Sequence, residues 1–169
     1  MEVLISAERL QQRVIEMARV IADDFRDRPT TIVGVLTGCI MFLADLVRHL
    51  DVPLRIDLIQ ASSYRGATTT PGQLRISPDL VPDVRGRHVL LLDDILDTGQ
   101  TLGYLVNHLR ELGAASVRVA VLLRKVGLQQ VHVEPDYCGF DIPDRFVVGY
   151  GLDFNDEYRH LPYVAVLPS

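Results

Sequence analysis

The sequence predicts an α/β domain, in which a parallel core sheet is flanked by helices. Apolar runs at 31–36, 89–92 and 116–123 are too short for helices and are bounded by polar residues, which is typical of buried strands. Segments with apolar residues at helical spacing lie between these runs. A strand, a short turn and a helix in succession form the unit from which parallel sheets are built.

The elements are expected in a regular order. Ser6 to Phe25 reads as an amphipathic helix, with Ser6 as its N-cap and apolar residues on one face. A strand at Thr31–Leu36 and a helix at Ile40–Leu50 follow, and then a strand at Val52–Ala61 in which Leu54, Ile56 and Leu58 alternate with polar residues. The later elements are expected at Leu74–Ile76 (an arm of a β-ribbon), 89–92, Thr101–Leu112, Ser116–Leu123, Phe146–Tyr150 and Tyr163–Leu167.

Length, charge and cysteine usage limit the class of protein. The 169 residues predict a single domain, 1–169, with a small lobe contributed mainly by about 137–169 and the N-terminus. A net charge of −5 argues against a nucleic-acid-binding surface. No apolar run is long enough to cross a bilayer, so the expected location is the cytoplasm, away from membranes. Cys39 and Cys138 are expected to be buried free thiols in a reducing compartment.

The stretch from His88 to Leu105 carries the clearest chemical signal. Asp93, Asp94 and Asp97 crowd together after an apolar strand, where their like charges repel unless hydroxyls, a cation or backbone N–H groups are bound there. The residues 98–101 (TGQT) then open a helix, where a glycine, hydroxyls and free N–H groups form an anion site. Carboxylates beside an anion site predict a sugar phosphate as ligand.

The run LLLDDILDTGQT closely resembles the phosphoribosyl-pyrophosphate loop of type I phosphoribosyltransferases. The SSY, LLRK and DIPDRFVVGYGLDFNDEYRHLPYVAVL segments extend this resemblance, in order and over nearly the whole chain, to hypoxanthine-guanine phosphoribosyltransferases. The resemblance implies a type I phosphoribosyltransferase fold with a small hood and a mobile lid loop. It also implies purine salvage: the phosphoribosyl group of phosphoribosyl pyrophosphate passes to a 6-oxopurine, with Mg²⁺, giving IMP or GMP and pyrophosphate. A homodimer or homotetramer is implied by analogy.

The resemblance also assigns roles to residues. Asp97 is implied as the general base near the purine N7. The ribose and its 5′-phosphate are expected at Asp93, Asp94, Thr98, Gly99, Gln100 and Thr101. Pyrophosphate is expected at Thr37, Gly38 and Arg159, and the start of the lid at Ser63 and Tyr64. Purine contacts are expected from Lys125, Phe146, Val147 and Asp153, and metal contacts from Asp93, Asp94 and Asp153.

One position departs from the family pattern. Thr37 stands in the turn where the family commonly has a lysine, so this turn offers backbone N–H groups and a hydroxyl but no charge. The resemblance further implies a non-proline cis peptide bond at Leu36–Thr37, which the sequence by itself does not show.

Three other classes of protein fit the sequence less well. A phosphoacceptor receiver domain has its acidic pair after the first strand, whereas here the pair falls past the middle and is followed by a TGQT turn. A non-catalytic nucleotide-sensing relative does not need a base at the purine, so Asp97, Lys125 and Asp153 favour an enzyme. The third class is a phosphoribosyltransferase for another base, such as xanthine, adenine or a pyrimidine; Lys125 and Phe146 favour a 6-oxopurine, and the sequence does not give the preference among hypoxanthine, guanine and xanthine.

Overall fold

The structure is a computed structural model that describes residues 1–64 and 73–168. The segment 65–72 and Ser169 lie outside the described residues. Most of the predicted lid loop therefore falls outside them, and only the backbone of Ser63 and Tyr64, at its start, is described.

The described residues form three helices and ten strands. The helices are α1 (Ala7–Phe25), α2 (Ile40–Val47) and α3 (Gln100–Glu111). The strands are β1 (Glu2–Ile5), β2 (Thr30–Val35), β3 (Arg55–Ile59), β4 (Ala61–Tyr64), β5 (Gln73–Ile76), β6 (His88–Leu96), β7 (Ser116–Lys125), β8 (Tyr137–Ile142), β9 (Val147–Val148) and β10 (Val164–Val166).

The core is a five-stranded sheet in the order β3-β2-β6-β7-β8, and every neighbouring pair in it is parallel. Both faces are buried. Along β6, Leu90 and Leu92 belong to one apolar cluster, whereas Val89 and Leu91 belong to a second cluster on the opposite face. A parallel sheet covered on both faces leaves the carboxyl ends of its strands as the place where ligands bind.

Helix α1 forms as the sequence predicts. The Ser6 side chain accepts a hydrogen bond from the Arg9 amide at 3.2 Å, which caps the first turn. The apolar stripe of the helix is fully buried against the sheet: Leu10, Val14, Met17, Ile21 and Phe25. Among the described residues, no helix combines the length and apolar character that a bilayer span requires.

A second, antiparallel sheet brings the two ends of the chain together in the order β1-β10-β9. Val147 and Val148 of β9 are buried and pair with Val166 and Ala165 of β10. The Leu167 amide donates to the Phe146 carbonyl at 2.9 Å. This sheet, hereafter the hood sheet, fixes the backbone on which the predicted purine contacts lie.

The strands near the site differ from the prediction in two ways. Strand β6 continues to Leu96, so Asp93 and Asp94 lie within the strand and not after it. The reason is that β7 also continues, to Lys125, and pairs with β6 as far as Leu96 and Arg124. Strand β8 (Tyr137–Ile142) pairs with β7 in the core sheet, although the sequence placed this segment in the small lobe.

Other predictions at the periphery were wrong in detail. Ile56 is 49% exposed, because β3 is an edge strand of the core sheet and begins only at Arg55, so the predicted alternation does not hold there. Helix α2 ends at Val47, three residues before the predicted end. Both cysteines are free, but only Cys39 is buried, since Cys138 is partly exposed.

Candidate active site

One part of the predicted site lies at the carboxyl ends of three adjacent strands. Thr37 follows β2, Asp97 follows β6, and Lys125 is the last residue of β7. These strands are neighbours in the parallel sheet, so their ends meet at one edge. The topology therefore brings together groups that are up to 88 positions apart in the sequence. They meet at one edge of the sheet, which is called the rim below.

Asp93 and Asp94 form a buried acidic pair in β6. Asp93 is only 9% exposed, and its Oδ1 accepts a hydrogen bond from the Asp94 amide at 2.8 Å. Burial raises the pKa of Asp93 well above its ordinary value, and the neighbouring Asp94 charge raises it further. Burial also raises the pKa of Asp94, although hydrogen bonds and the Arg159 charge oppose the shift. A cation bound beside this pair would offset the repulsion between its two carboxylates.

Mg²⁺ fits this donor set. Within residues 1–64 and 73–168, no group of three or more His, Cys, Asp or Glu side chains is arranged to hold a metal ion. Mg²⁺ does not need such a group, because it is commonly held by one or two carboxylates together with substrate phosphates and water. Asp153 has other contacts: its Oδ1 lies 3.5 Å from Arg159 Nη2, and its Oδ2 accepts from the Asp156 amide at 2.9 Å.

The predicted phosphate loop encloses a cavity at the start of α3. The cavity has a volume of about 230 Å³ and is lined by Asp93, Asp94, Ile95, Leu96, Asp97, Thr98, Gly99, Thr101 and Leu102. Gly99 is the N-cap of the helix, with φ of 86°, and the Thr98 hydroxyl accepts from the Gln100 amide at 3.4 Å. The first-turn amides of a helix have no partner within the helix and favour an anion. Thr98 to Thr101 therefore lie where a phosphate would be held.

A segment that the sequence did not single out, 129–131, supports this loop. The amides of Gln130 and Val131 donate to the Thr98 carbonyl at 2.8 and 3.1 Å. The Gln129 side-chain amide donates to the carbonyls of Asp97 at 2.9 Å and Lys125 at 2.7 Å. Both donors of Gln129 Nε2 are thus used to hold the end of β7 against the loop after β6. No motif marks these residues, because their role depends on tertiary contacts alone.

We expect Gly99→Ala to damage both stability and phosphate binding. A Cβ at Gly99 would lie 2.5 Å from the Val131 carbonyl oxygen, and the positive φ is unfavourable for any residue with a side chain. The backbone conformation alone should lower the free energy of unfolding by about 1–2 kcal/mol, and the clash should raise the KM for phosphoribosyl pyrophosphate. Denaturant unfolding and steady-state kinetics measure the two effects.

Gly86→Ala is the matched control for this change. Gly86 also has a positive φ, 73°, but within residues 1–64 and 73–168 no atom beyond its two chain neighbours lies within 4 Å of the position that a Cβ would take there. This variant should lose stability without any change in KM. An equal rise in KM for both variants would show that the contact of Gly99 with Val131 has no bearing on phosphate binding.

The predicted pyrophosphate turn is held by main-chain contacts. The Leu36–Thr37 peptide bond is cis. A Cβ at Gly38 would overlap the Asp94 carboxylate, and a Cβ at Gly151 would overlap the Gly38 carbonyl oxygen. The turn thus lies directly between the acidic pair and the Gly149–Gly151 region of the chain, and only glycine permits this approach.

Arg159 is anchored to the other side of Gly151. Its Nη1 donates to the Gly151 carbonyl at 2.6 Å, and the Gly151 amide donates to the Arg159 carbonyl at 3.0 Å. Its guanidinium also lies 3.1 Å from Asp156 Oδ1. Arg159 is therefore positioned beside the turn, and its charge acts on Asp94. Thr37 itself is exposed at the turn.

The predicted purine side is built around Lys125. Its Nζ lies 3.7 Å from Asp97 Oδ2 and 3.6 Å from Asp144 Oδ1, and its side chain is only 12% exposed. The Phe146 ring is 52% exposed and packs edge-on against Phe154, with centroids 5.7 Å apart. The sequence analysis assigned no role to Asp144 or Phe154, although both lie in the closing segment that carries the family resemblance.

Val147, Ser63 and Tyr64 complete the set of predicted residues. Val147 is buried in β9, where its backbone is paired with β10. Ser63 and Tyr64 lie on β4, in the two-stranded ribbon with β5. The rest of the predicted lid belongs to the segment 65–72, outside the described residues.

Comparisons with known proteins show the family to which this chain belongs. Residues 5–155 match the family described as phosphoribosyl transferase domain. The chain is 41% identical to the hypoxanthine-guanine phosphoribosyltransferase of Bacillus subtilis (strain 168) over 166 residues, 98% of this chain and 92% of that protein. It is 42% identical to the enzyme of the same name from Streptococcus pneumoniae R6, over the same shares of the two chains.

Two solved structures are also similar to this chain over nearly its whole length. A crystal structure of a hypoxanthine phosphoribosyltransferase from Staphylococcus aureus superimposes with a TM-score of 0.92 at 38% identity, covering 99% of this chain and 91% of that one. A hypoxanthine-guanine phosphoribosyltransferase from Bacillus anthracis, with HEPES in its active site, also gives 0.92 at 38% identity and covers 99% of both chains. The chain therefore belongs to the phosphoribosyl transferase domain family and, within it, to the hypoxanthine-guanine phosphoribosyltransferases.

Proposed function

We propose that this protein is a purine-salvage enzyme that transfers the phosphoribosyl group of phosphoribosyl pyrophosphate to hypoxanthine or guanine. The products are IMP or GMP and pyrophosphate. The observation that carries the proposal is the placement of Asp97 and Lys125, whose charged groups lie 3.7 Å apart at the sheet edge that also holds a buried acidic pair and a helix N-terminus. One rim thus offers a proton acceptor, a donor for a purine oxygen and an anion site.

The ribose phosphate is bound by the loop after β6. Thr98, Gly99, Gln100 and Thr101 hold the 5′-phosphate with first-turn amides and hydroxyls. The carboxylates of Asp93 and Asp94 face the ribose hydroxyls. Mg²⁺ held by this pair would neutralise its charge and that of the substrate phosphates. Asp153, next to Arg159, is proposed as a further carboxylate on the metal side.

Transfer of the phosphoribosyl group separates charge, and we assign residues to stabilise the leaving group and to accept the proton. As the bond from ribose C1 to pyrophosphate breaks, positive charge develops on the ribose and negative charge on the leaving oxygens. Arg159 and the backbone of Thr37 and Gly38 stabilise the leaving group. Asp97 accepts the proton that purine N7 loses as purine N9 bonds to the ribose C1.

The base itself is bound between the sheet edge and the hood. The exposed ring of Phe146 stacks on the purine, which adds affinity for any purine. The main chain at Val147 contacts the base edge, and Lys125 donates to its 6-oxygen. Ser63 and Tyr64 begin the lid that we propose closes over the reacting groups.

The choice of base is the direct test of this function. We expect hypoxanthine and guanine to be consumed with phosphoribosyl pyrophosphate and Mg²⁺, and adenine to be a poor substrate. A 6-amino group is a donor and would leave Lys125 facing another donor, which is costly in a buried site. Lys125→Ala should therefore lower activity with hypoxanthine and reduce the preference over adenine. A spectrophotometric assay of hypoxanthine, guanine, xanthine and adenine measures both effects.

The outcomes separate the remaining classes. Consumption of no base, together with nucleotide binding, would favour a non-catalytic nucleotide sensor over an enzyme. Preferential use of adenine by the wild-type enzyme would contradict the role of Lys125.

We also propose a cytoplasmic location, which two free cysteines support, and a homodimer or homotetramer by analogy with the family. Light scattering of the purified protein determines the subunit count.

A further inference from the structure

The Lys125 ammonium lies between two carboxylates, not against one. It is 3.7 Å from Asp97 Oδ2 and 3.6 Å from Asp144 Oδ1. Both separations exceed an ordinary hydrogen bond of about 2.7–3.2 Å, so the ammonium is shared and retains donors for a third group. Lys125 is the only lysine among the chain's 17 lysine and arginine residues. A lysine presents a compact charge with three donors, which the planar guanidinium of arginine does not reproduce.

The position of Asp144 is fixed by the end of β8. Ile142 is the parallel partner of Lys125, and its carbonyl accepts from the Val126 amide at 3.1 Å. Pro143 then restricts the backbone, and the Arg145 amide donates to its carbonyl at 2.8 Å to close a tight turn. Asp144 therefore reaches Lys125 from the neighbouring strand, through backbone that the core sheet holds in register.

We propose that Asp144 is a positioning residue that keeps the Lys125 ammonium directed at the 6-oxygen of the purine. This inference rests on the proposed function. In the free enzyme, both carboxylates attract Lys125. When Asp97 accepts the proton, the purine N–H bond breaks, an O–H bond forms on Asp97, and that carboxyl becomes neutral. Asp144 is then the carboxylate, of the two beside Lys125, that still attracts the ammonium.

The same contact keeps Asp97 available as a base. Without the Asp144 charge, the Lys125 ammonium would pair with Asp97 more closely. The ammonium would then be drawn away from the base edge, and the carboxylate that must take the proton would be occupied. With a carboxylate on each side, the ammonium stays between them. Lys125 then remains at the base edge, and Asp97 remains available to accept the proton.

The test compares ligands that differ only in the 6-oxygen. Dissociation constants of IMP and of purine riboside 5′-monophosphate, which lacks this oxygen, are measured by calorimetry for wild type and Asp144→Asn. We expect IMP to bind about tenfold more weakly to the variant, the loss that about 1.4 kcal/mol produces. Binding of the analogue should be nearly unchanged, because no 6-oxygen contact is lost. Asp144→Glu should restore part of the IMP affinity.

Two controls separate positioning from a general structural effect. Asp141→Asn removes a carboxylate three positions away that pairs with Arg124, and it should leave both dissociation constants unchanged. In a Lys125→Ala background, Asp144→Asn should have no further effect on IMP binding, because Asp144 acts through Lys125. Equal losses for IMP and the analogue, or an undiminished effect in the Lys125→Ala background, would overturn the proposal.

A second measurement observes Lys125 directly. Since the chain has one lysine, a ¹³C-lysine label gives a signal from this side chain alone. The shift that IMP induces in this signal should shrink in Asp144→Asn, and an unchanged shift would contradict the proposal. Failure of the proposed function has a different result: wild-type protein would consume neither hypoxanthine nor guanine with phosphoribosyl pyrophosphate and Mg²⁺.

Discussion

Asp97→Asn is expected to slow phosphoribosyl transfer by about 10²–10⁴-fold, the usual contribution of a general base, with little change in the KM for phosphoribosyl pyrophosphate. Asparagine has nearly the same shape but does not accept a proton from the purine. Asp97 lies outside the buried acidic pair, with its side chain 49% exposed, so the change should be tolerated. Its backbone carbonyl still accepts from Gln129, which keeps the loop in place.

Single-turnover kinetics with saturating substrates measure this loss without interference from product release. Asp51→Asn, a change at an exposed carboxylate before β3, serves as the control and should behave as wild type. Turnover of Asp97→Asn close to that of wild type would remove Asp97 from the role of base and direct attention to another acceptor on the same rim.

Asp93→Asn is expected to give a more stable but inactive protein. Burial and the Asp94 charge raise the pKa of Asp93 in the folded state, so keeping it charged opposes folding. This penalty is present above the raised folded-state pKa and disappears below the ordinary pKa of the unfolded chain. At neutral pH we expect the ligand-free variant to melt about 2–4 °C higher than wild type, the shift that about 1 kcal/mol produces in a chain of this size. Near pH 4 the difference should vanish.

Bound Mg²⁺ and phosphoribosyl pyrophosphate should reverse the order of the two melting temperatures, so that wild type melts higher than Asp93→Asn. Under the proposed function, wild type should gain stability from Mg²⁺ and phosphoribosyl pyrophosphate by mass action, and the variant should gain much less. Its kcat/KM should fall by about 10²-fold or more, because the charge that we propose faces the ribose and the metal is lost. Melting curves with and without both ligands show the crossing, with Asp51→Asn as the control. Ligand-free Asp93→Asn that melts below wild type at neutral pH would contradict the expectation.

Local patterns in the sequence predicted most of the fold, whereas the roles of the site residues come from the family resemblance and stay predictions. The apolar stripe of α1 and its Ser6 cap depend only on residues within a few turns of one another, and both are confirmed. The burial of the continuous apolar run 89–92 in β6 likewise follows from neighbouring residues and is confirmed. The family match is confirmed by relatives over nearly the whole chain.

What the sequence did not predict depends on contacts between distant segments. Asp144 meets Lys125 because β8 pairs with β7, whereas the sequence predicted no strand at 137–142 and placed this segment in the small lobe. Gln129 holds two strand ends through its side chain, and no spacing rule marks such a residue. Ile56 fits the pattern of a half-buried strand but lies on the edge of the sheet, where its burial depends on what covers that edge.

The glycine contact between the turn after β2 and the hood region has a consequence for residue 37. The turn is located by backbone atoms of Gly38 and Gly151 and by the Asp94 carboxylate, none of which involves the residue 37 side chain. The shape of the turn is therefore independent of the charge it carries. Under the proposed function, threonine in place of a lysine leaves these backbone contacts of the turn unchanged and removes a positive charge beside the leaving pyrophosphate.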